Sequence, residues 1–187
     1  MTTQTFIKTL GGLIVIGIVT FLIVNANLHK AEPSAEKYTD DIVGYSVEYK
    51  RSPNGYVPQP IRENLPEEIV SSVAFFEETA WKEFNESTGP REAPPAITIQ
   101  AFLKTSTTTP TIDWVKTSRY SNYVQGGAVE TWKTDERDVV AYTFSGLYEN
   151  DAIALSYGNY ILMFTASWMT DSDPMRADLL NMIATLK

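Results

Sequence analysis

The most constraining feature of this chain is an apolar run near its start. Residues 9–28 contain no charged side chain, and residues 10–24 read LGGLIVIGIVTFLIV. A helix needs about 20 mainly apolar residues to cross the roughly 30 Å hydrocarbon core of a bilayer. We therefore expect residues 9–28 to form one transmembrane anchor after a short tail, residues 1–8. The residues expected to contact lipid are Leu10, Leu13, Ile14, Val15, Ile16, Ile18, Val19, Phe21, Leu22, Ile23 and Val24.

A cleaved secretory signal peptide is the alternative interpretation of the same run. Lys8 would then supply the positively charged flank, and Val24-Asn25-Ala26 would be the small-residue cleavage site. The apolar run is at the long end for a signal peptide, which favours the anchor. A short tail before a first helix usually stays in the cytoplasm, so we expect the following domain on the extracytoplasmic side of the cell membrane. Cleavage near Ala26 would instead release a secreted protein.

The charge and cysteine content exclude several classes of function. The chain carries 23 acidic and 15 basic residues, for a net charge of -8. Nucleic-acid binding depends on Lys and Arg that neutralise phosphates, so we expect no nucleic-acid partner. The sequence contains no cysteine, which excludes disulfides, thiolate metal sites and cysteine nucleophiles. The domain must therefore be stabilised by its core alone.

Hydrophobic periodicity divides the rest of the chain into a linker, residues 29–41, and one domain, residues 42–187. The linker is polar and contains Pro33, with room for a little helix over residues 34–38. Most of the domain shows the alternation or the β-branched and aromatic enrichment that is typical of strands. The predicted strands cover residues 43–49, 68–76, 96–103, 129–133, 139–144, 152–157 and 160–168.

Fewer segments show the periodicity and capping residues of a helix than show the patterns of a strand. We expect a short helix over TIDWVKTS, residues 111–118, and an elaborated loop over residues 77–95. A final helix should begin at Pro174 with Asp173 as its N-cap. Its apolar stripe comprises Met175, Leu179, Met182, Ile183 and Leu186. The predicted fold is α+β, an antiparallel sheet of six to seven strands with helices packed against it.

Three short patterns resemble the PsbP-like α/β domain, which occurs in extrinsic photosystem subunits and in small membrane-anchored bacterial proteins. Residues 44–49 read GYSVEY, residues 112–115 read IDWV, and residues 160–164 read YILMF ahead of the last helix. The resemblance covers residues 42–187. It implies the α+β fold described above and favours a non-catalytic role in binding or complex stabilisation.

No catalytic, cofactor or metal site is predicted. The only histidine is His29, at the edge of the predicted anchor, so the domain has no imidazole base or histidine ligand. Acidic clusters occur at residues 40–41, 67–68, 77–78, 135–136 and 171–173. Paired carboxylates can hydrolyse glycosides, which keeps an envelope hydrolase as the alternative function.

Surplus aromatic residues are the remaining functional candidates. The chain has four tryptophans and ten tyrosines, and Trp132 and Tyr148 lie beside predicted turns. Exposed aromatic side chains in a cleft are typical of binding sites. Packing in the core or across strands would also account for these aromatic residues. If Trp132 and Tyr148 are exposed instead, we expect them to mark the surface that binds a ligand or another envelope protein.

Overall fold

The structure is a computed structural model that describes residues 34–51, 55–106, 108–134 and 137–187. These residues form nine strands and three helices. The strands are β1 (Ala35–Thr39), β2 (Ser46–Lys50), β3 (Tyr56–Ile61), β4 (Ile69–Glu77), β5 (Ala96–Leu103), β6 (Glu130–Thr134), β7 (Arg137–Ser145), β8 (Glu149–Tyr157) and β9 (Tyr160–Trp168). The helices are α1 (Glu78–Glu86), α2 (Thr111–Thr117) and α3 (Pro174–Ala184).

Seven strands form one antiparallel sheet in the order β3-β4-β5-β9-β8-β7-β6. This confirms the predicted α+β class. Strands β1 and β2 form a separate antiparallel hairpin, so the strand predicted over residues 43–49 does not join the main sheet. Residues that alternate along a strand project to opposite faces of the sheet, so each central strand contributes to both faces.

Both faces of the sheet are covered. On one face, Leu162 and Phe164 pack with the β1–β2 hairpin and with Leu179 of α3. On the opposite face, Ile161 and Met163 pack with α2 and the chain that follows it. Burial on both faces explains why β9 reads as a nearly continuous apolar segment instead of a simple alternation.

Three predictions about local structure are corrected. Residues 35–39, predicted as linker with a little helix, form β1, because they pair with β2 and alternating residues of AEKYT are half-buried. The folded domain therefore begins before residue 42. The sequence YVPQPI, for which no strand was predicted, forms β3 at the sheet edge, where proline is tolerated. The loop predicted over residues 77–95 contains helix α1, whose Trp81 stacks on Phe76 with ring centroids 4.4 Å apart.

The break between the strands predicted over residues 152–157 and 160–168 is confirmed, and so is the start of the last helix. Gly158-Asn159 is a two-residue hairpin turn, since Tyr157 pairs with Tyr160 and Gly158 has a φ of 52°. Helix α3 begins at Pro174, and the Asp173 side chain accepts a hydrogen bond from the Met175 amide at 3.0 Å. The predicted apolar stripe is buried in the core apart from Ile183, which is partly buried.

Among the described residues, none of the helices has the length and apolar character required to cross a bilayer. The predicted tail, anchor and cleavage site lie outside the described residues.

Candidate functional site

An open cleft of about 680 Å³ lies between helix α3 and the face of strands β6, β7 and β8. Trp132, Ala141 and Ile153 line it from the sheet, and Ala177 and Leu180 line it from the helix. The loop that leads into α3 forms its rim. The cleft therefore combines an apolar floor with walls from two different elements, which is typical of binding sites.

Strand register places Trp132 in this cleft. Trp132 lies opposite Val139 in the β6–β7 pair, and Glu130 lies opposite Ala141. Directly opposed residues of an antiparallel pair project to the same face of the sheet. Val139 is fully buried in the core cluster that includes α3, so Glu130 and Trp132 also project toward α3. Because β6 is the edge strand, Trp132 remains 40% exposed.

The helical geometry of α3 places Leu180 on the wall of the cleft that faces Trp132. Leu179 is buried against the sheet, and the next residue is turned by about 100° around the helix axis. Leu180 is consequently 55% exposed and lines the cleft. The two large exposed apolar side chains of the cleft thus come from the edge strand and the last helix.

A bidentate ion pair connects the two walls. The Arg176 Nε atom lies 2.7 Å from Asp151 Oδ2, and Nη2 lies 3.2 Å from Oδ1. The Arg176 guanidinium also stacks on Trp168, with Cζ 4.4 Å from the ring centroid. Hydrogen bonding to Asp151 raises the pKa of Arg176, so the guanidinium stays charged. This pair fixes the start of α3 to β8 and shapes one side of the cleft.

The remaining charge in the cleft is negative. Four acids line it, Glu130, Asp151, Asp171 and Asp173, against the single cation Arg176. Asp151 is neutralised by Arg176, and Asp173 caps α3. Glu130 is exposed, and the Asp171 side chain is 93% exposed at 3.8 Å from Arg176. The cleft is therefore suited to a ligand with apolar groups and a positive charge.

The structure separates the two aromatic residues predicted from sequence. Trp132 lines the cleft, whereas Tyr148 lies in the β7–β8 turn, where its hydroxyl donates to the Ala93 carbonyl at 3.4 Å. Trp132 lies opposite Val139 near the start of β7, and Tyr148 follows Ser145 at its end. The rise of the strand places these two positions roughly 20 Å apart. The two residues do not form one surface.

Sequence reasoning missed Leu180, Arg176 and Asp151 as parts of the site. The exposure of Leu180 could have been predicted from the sequence, because Leu180 falls outside the apolar stripe of α3. The pairing of Arg176 with Asp151 had none, because the two residues are 25 positions apart. Within the described ranges, no three acidic or histidine side chains are grouped as a metal site would require.

The comparison with solved structures identifies the fold. No family model matches the sequence, and no curated protein matches it. The described domain has a PsbP-like α+β fold. Its arrangement matches the solution structure of cyanobacterial PsbP (CyanoP) from Synechocystis sp. PCC 6803 with a TM-score of 0.54 and 15% sequence identity. The match covers 85% of this chain and 95% of the CyanoP chain, and it establishes the fold alone.

Proposed function

We propose that this protein is a membrane-tethered, non-catalytic module that binds another envelope protein through the cleft between β6 and α3. The observation that carries the proposal is the presence of Trp132 and Leu180 in one cleft. Tryptophan is enriched among residues that dominate binding energy at protein interfaces. The PsbP-like fold is consistent with a binding role.

The surroundings of these two residues support a binding surface. Trp132 and Leu180 are each at least 40% exposed, although both are large and apolar. Neither packs in the buried clusters that stabilise the sheet. Removing such side chains from water on partner binding is favourable by about 25 cal/mol per Å² of apolar surface. The cleft therefore offers binding energy that folding leaves unused.

Co-purification from detergent-solubilised host membranes tests the proposed binding role. We expect a reproducible partner with the wild-type chain, at least about tenfold less of it with Trp132→Ala, and normal recovery with Tyr148→Ala. Tyr148→Ala is the matched control because it removes a partly exposed aromatic side chain outside the cleft. Recovery of the wild-type protein alone would contradict the proposal, and so would equal losses with the two variants.

The tether is the second part of the proposal. Residues 9–28 provide the uncharged segment that a single-pass anchor needs, with the domain on the extracytoplasmic side. Alkaline carbonate extraction should leave the full chain in the membrane fraction, and the mature protein should keep its first residues. A mature N-terminus near Asn27 would show cleavage after Ala26 and would contradict the anchor.

An envelope hydrolase that uses paired carboxylates is the alternative function, and the cleft limits which acids could serve. Asp151 is held by Arg176 and Asp173 caps α3, which leaves Glu130 and Asp171, the latter 3.8 Å from Arg176. A general acid in glycoside hydrolysis is usually a carboxyl group in an apolar environment, whereas Asp171 is 93% exposed. Glycan hydrolysis that is lost in both Glu130→Gln and Asp171→Asn would favour the hydrolase over the binding module.

A further inference from the structure

The two edge strands of the main sheet differ in their capacity to accept another strand. Strand β3 carries Pro58 and Pro60, which have no backbone N–H to donate. Strand β6 reads ETWKT and contains no proline. Natural sheets commonly protect an edge with proline, charge or a covering segment. The proline protection here is present at β3 and missing at β6.

The outer side of β6 is also accessible. Residues 130–133 are exposed, and within the described part of the chain β6 pairs only with β7. An edge strand presents a row of unpaired backbone N–H and C=O groups to whatever lies beside it. The single cation of the strand, Lys133, lies 3.5 Å from Asp138 on β7. Its charge is therefore partly offset.

We propose that the partner binds by adding an extended, basic segment to the outer edge of β6. The inference rests on the proposed function and specifies how the partner reaches the cleft. Alternate side chains of an added strand would project on the same face as Trp132, directly beside the cleft. Backbone hydrogen bonds would supply affinity, and the cleft would select the side chains that enter it.

Charge complementarity determines which segment is favoured. Glu130 projects from β6 toward α3, and Asp171 lies on the opposite rim of the same cleft. Arg176 lies between the walls, but its guanidinium is held by Asp151. Lysine or arginine side chains of an added strand would meet these two acids, and acidic side chains would be repelled. The net charge of -8 reinforces this selection at longer range.

Peptide binding to the full chain in detergent micelles tests the inference. The probe is a blocked, fluorescently labelled hexapeptide of alternating lysine and valine. One control peptide carries N-methyl groups on alternate amides, which removes backbone donors and leaves the side chains in place. A second control replaces lysine with glutamate. Fluorescence anisotropy reports affinity, and hydrogen exchange followed by mass spectrometry reports protection of the β6 amides.

We expect binding to depend both on the backbone N–H groups of the peptide and on its positive charge. The lysine–valine peptide binds and slows exchange in β6 by at least about tenfold, whereas N-methylation or the glutamate replacement weakens binding at least about tenfold. Glu130→Lys weakens binding of the basic peptide, and Glu63→Lys, the same charge change at an exposed position in the β3–β4 loop, has less effect. Equal binding of the N-methylated peptide would overturn strand addition and leave the cleft as a binding site.

Other occupants of the edge give different outcomes. Protection of β6 without peptide that increases with protein concentration would show pairing with a second copy of this chain. Protection without peptide at every concentration would show that another segment of the same chain covers the edge. Either result overturns the inference, as does failure of the basic peptide to bind. The proposed function fails separately, when Trp132→Ala leaves partner recovery unchanged.

Discussion

Asp40 is a buried carboxylate that fixes the turn between β1 and β2 to the main sheet. Its Oδ1 atom accepts hydrogen bonds from the backbone N–H groups of Ile42 and Val43 at 3.0 and 2.7 Å. Its Oδ2 atom accepts from the hydroxyl of Ser71 on β4. One side chain therefore satisfies three donors and joins two layers of the domain.

Removal of this carboxylate should be costly. We expect Asp40→Ala to lower the free energy of unfolding by about 2–4 kcal/mol, because the buried Ser71 hydroxyl and the partly buried amides of Ile42 and Val43 lose their acceptor. A buried donor left unsatisfied costs about 1–3 kcal/mol. Urea denaturation followed by circular dichroism measures the change. The matched control is Asp41→Ala, which removes an exposed carboxylate paired with Arg62 and should change stability little. Equal effects of the two variants would contradict this account of Asp40.

Buried and half-buried tyrosines limit the stability of the domain at alkaline pH. Burial raises the pKa of Tyr38 and of Tyr49 to about 12, from an ordinary value of 10.0. Burial also raises the pKa of Tyr45, Tyr56 and Tyr142. The folded state thus holds these phenol protons more tightly than the unfolded chain does, so stability is complete below pH 10 and is lost as pH rises toward 12.

Thermal unfolding at a series of pH values tests this limit. We expect the melting temperature to fall steeply above pH 10, and to fall less steeply in Tyr56→Phe, which removes one of the titrating groups. Tyr56→Phe also loses the hydrogen bond to Asp178, so its melting temperature at pH 7 is the reference for its own curve. A melting temperature that is independent of pH between 10 and 12 would contradict this explanation.

Helix α3 shows how one element serves both the core and the cleft. Leu179 is 1% exposed and packs on the sheet, whereas its neighbour Leu180 is 55% exposed and lines the cleft. We expect Leu179→Ala to lower the free energy of unfolding by about 2–5 kcal/mol. Leu180→Ala should change stability by less than about 0.5 kcal/mol and should weaken partner recovery.

These adjacent leucines separate stability from binding within one helical turn. Denaturant midpoints and partner recovery are measured on both variants. If Leu180→Ala were as destabilising as Leu179→Ala, Leu180 would be a core residue and the wall of the cleft would be assigned wrongly.

The elements that sequence predicted well are those whose pattern is local. Helix α3 had an N-cap, a proline in its first turn and an apolar stripe, and all three signals lie within its own sequence. Strand β3 was missed because Pro58 and Pro60 argue against a strand unless it lies at an edge, and edge position is a property of the whole sheet. Helix α1 was missed because it has no side-chain N-cap and fully buries no residue, so its sequence lacks the cap and the apolar stripe that mark α3.

At the scale of the whole molecule, the fold was predictable but the site was only partly so. The antiparallel sheet follows from alternation and turn residues that can be read along the chain. The cleft depends on where α3 crosses the sheet, so sequence identified Trp132 but could not pair it with Leu180. Tyr148 was grouped with Trp132 because both lie near turns, and the length of β7 separates them.

The central claim is that the cleft between β6 and α3 is the surface that contacts the partner. Two exposed leucines allow a direct comparison, because Leu180 lines the cleft and Leu147, 65% exposed, lies in the β7–β8 turn outside it. A photoreactive phenylalanine analogue is placed at each position in turn in the full chain, and cells are irradiated before membranes are solubilised. We predict one dominant cross-linked species from position 180 and little or none from position 147. Equal cross-linking from both positions, or cross-linking from position 147 alone, would contradict the claim.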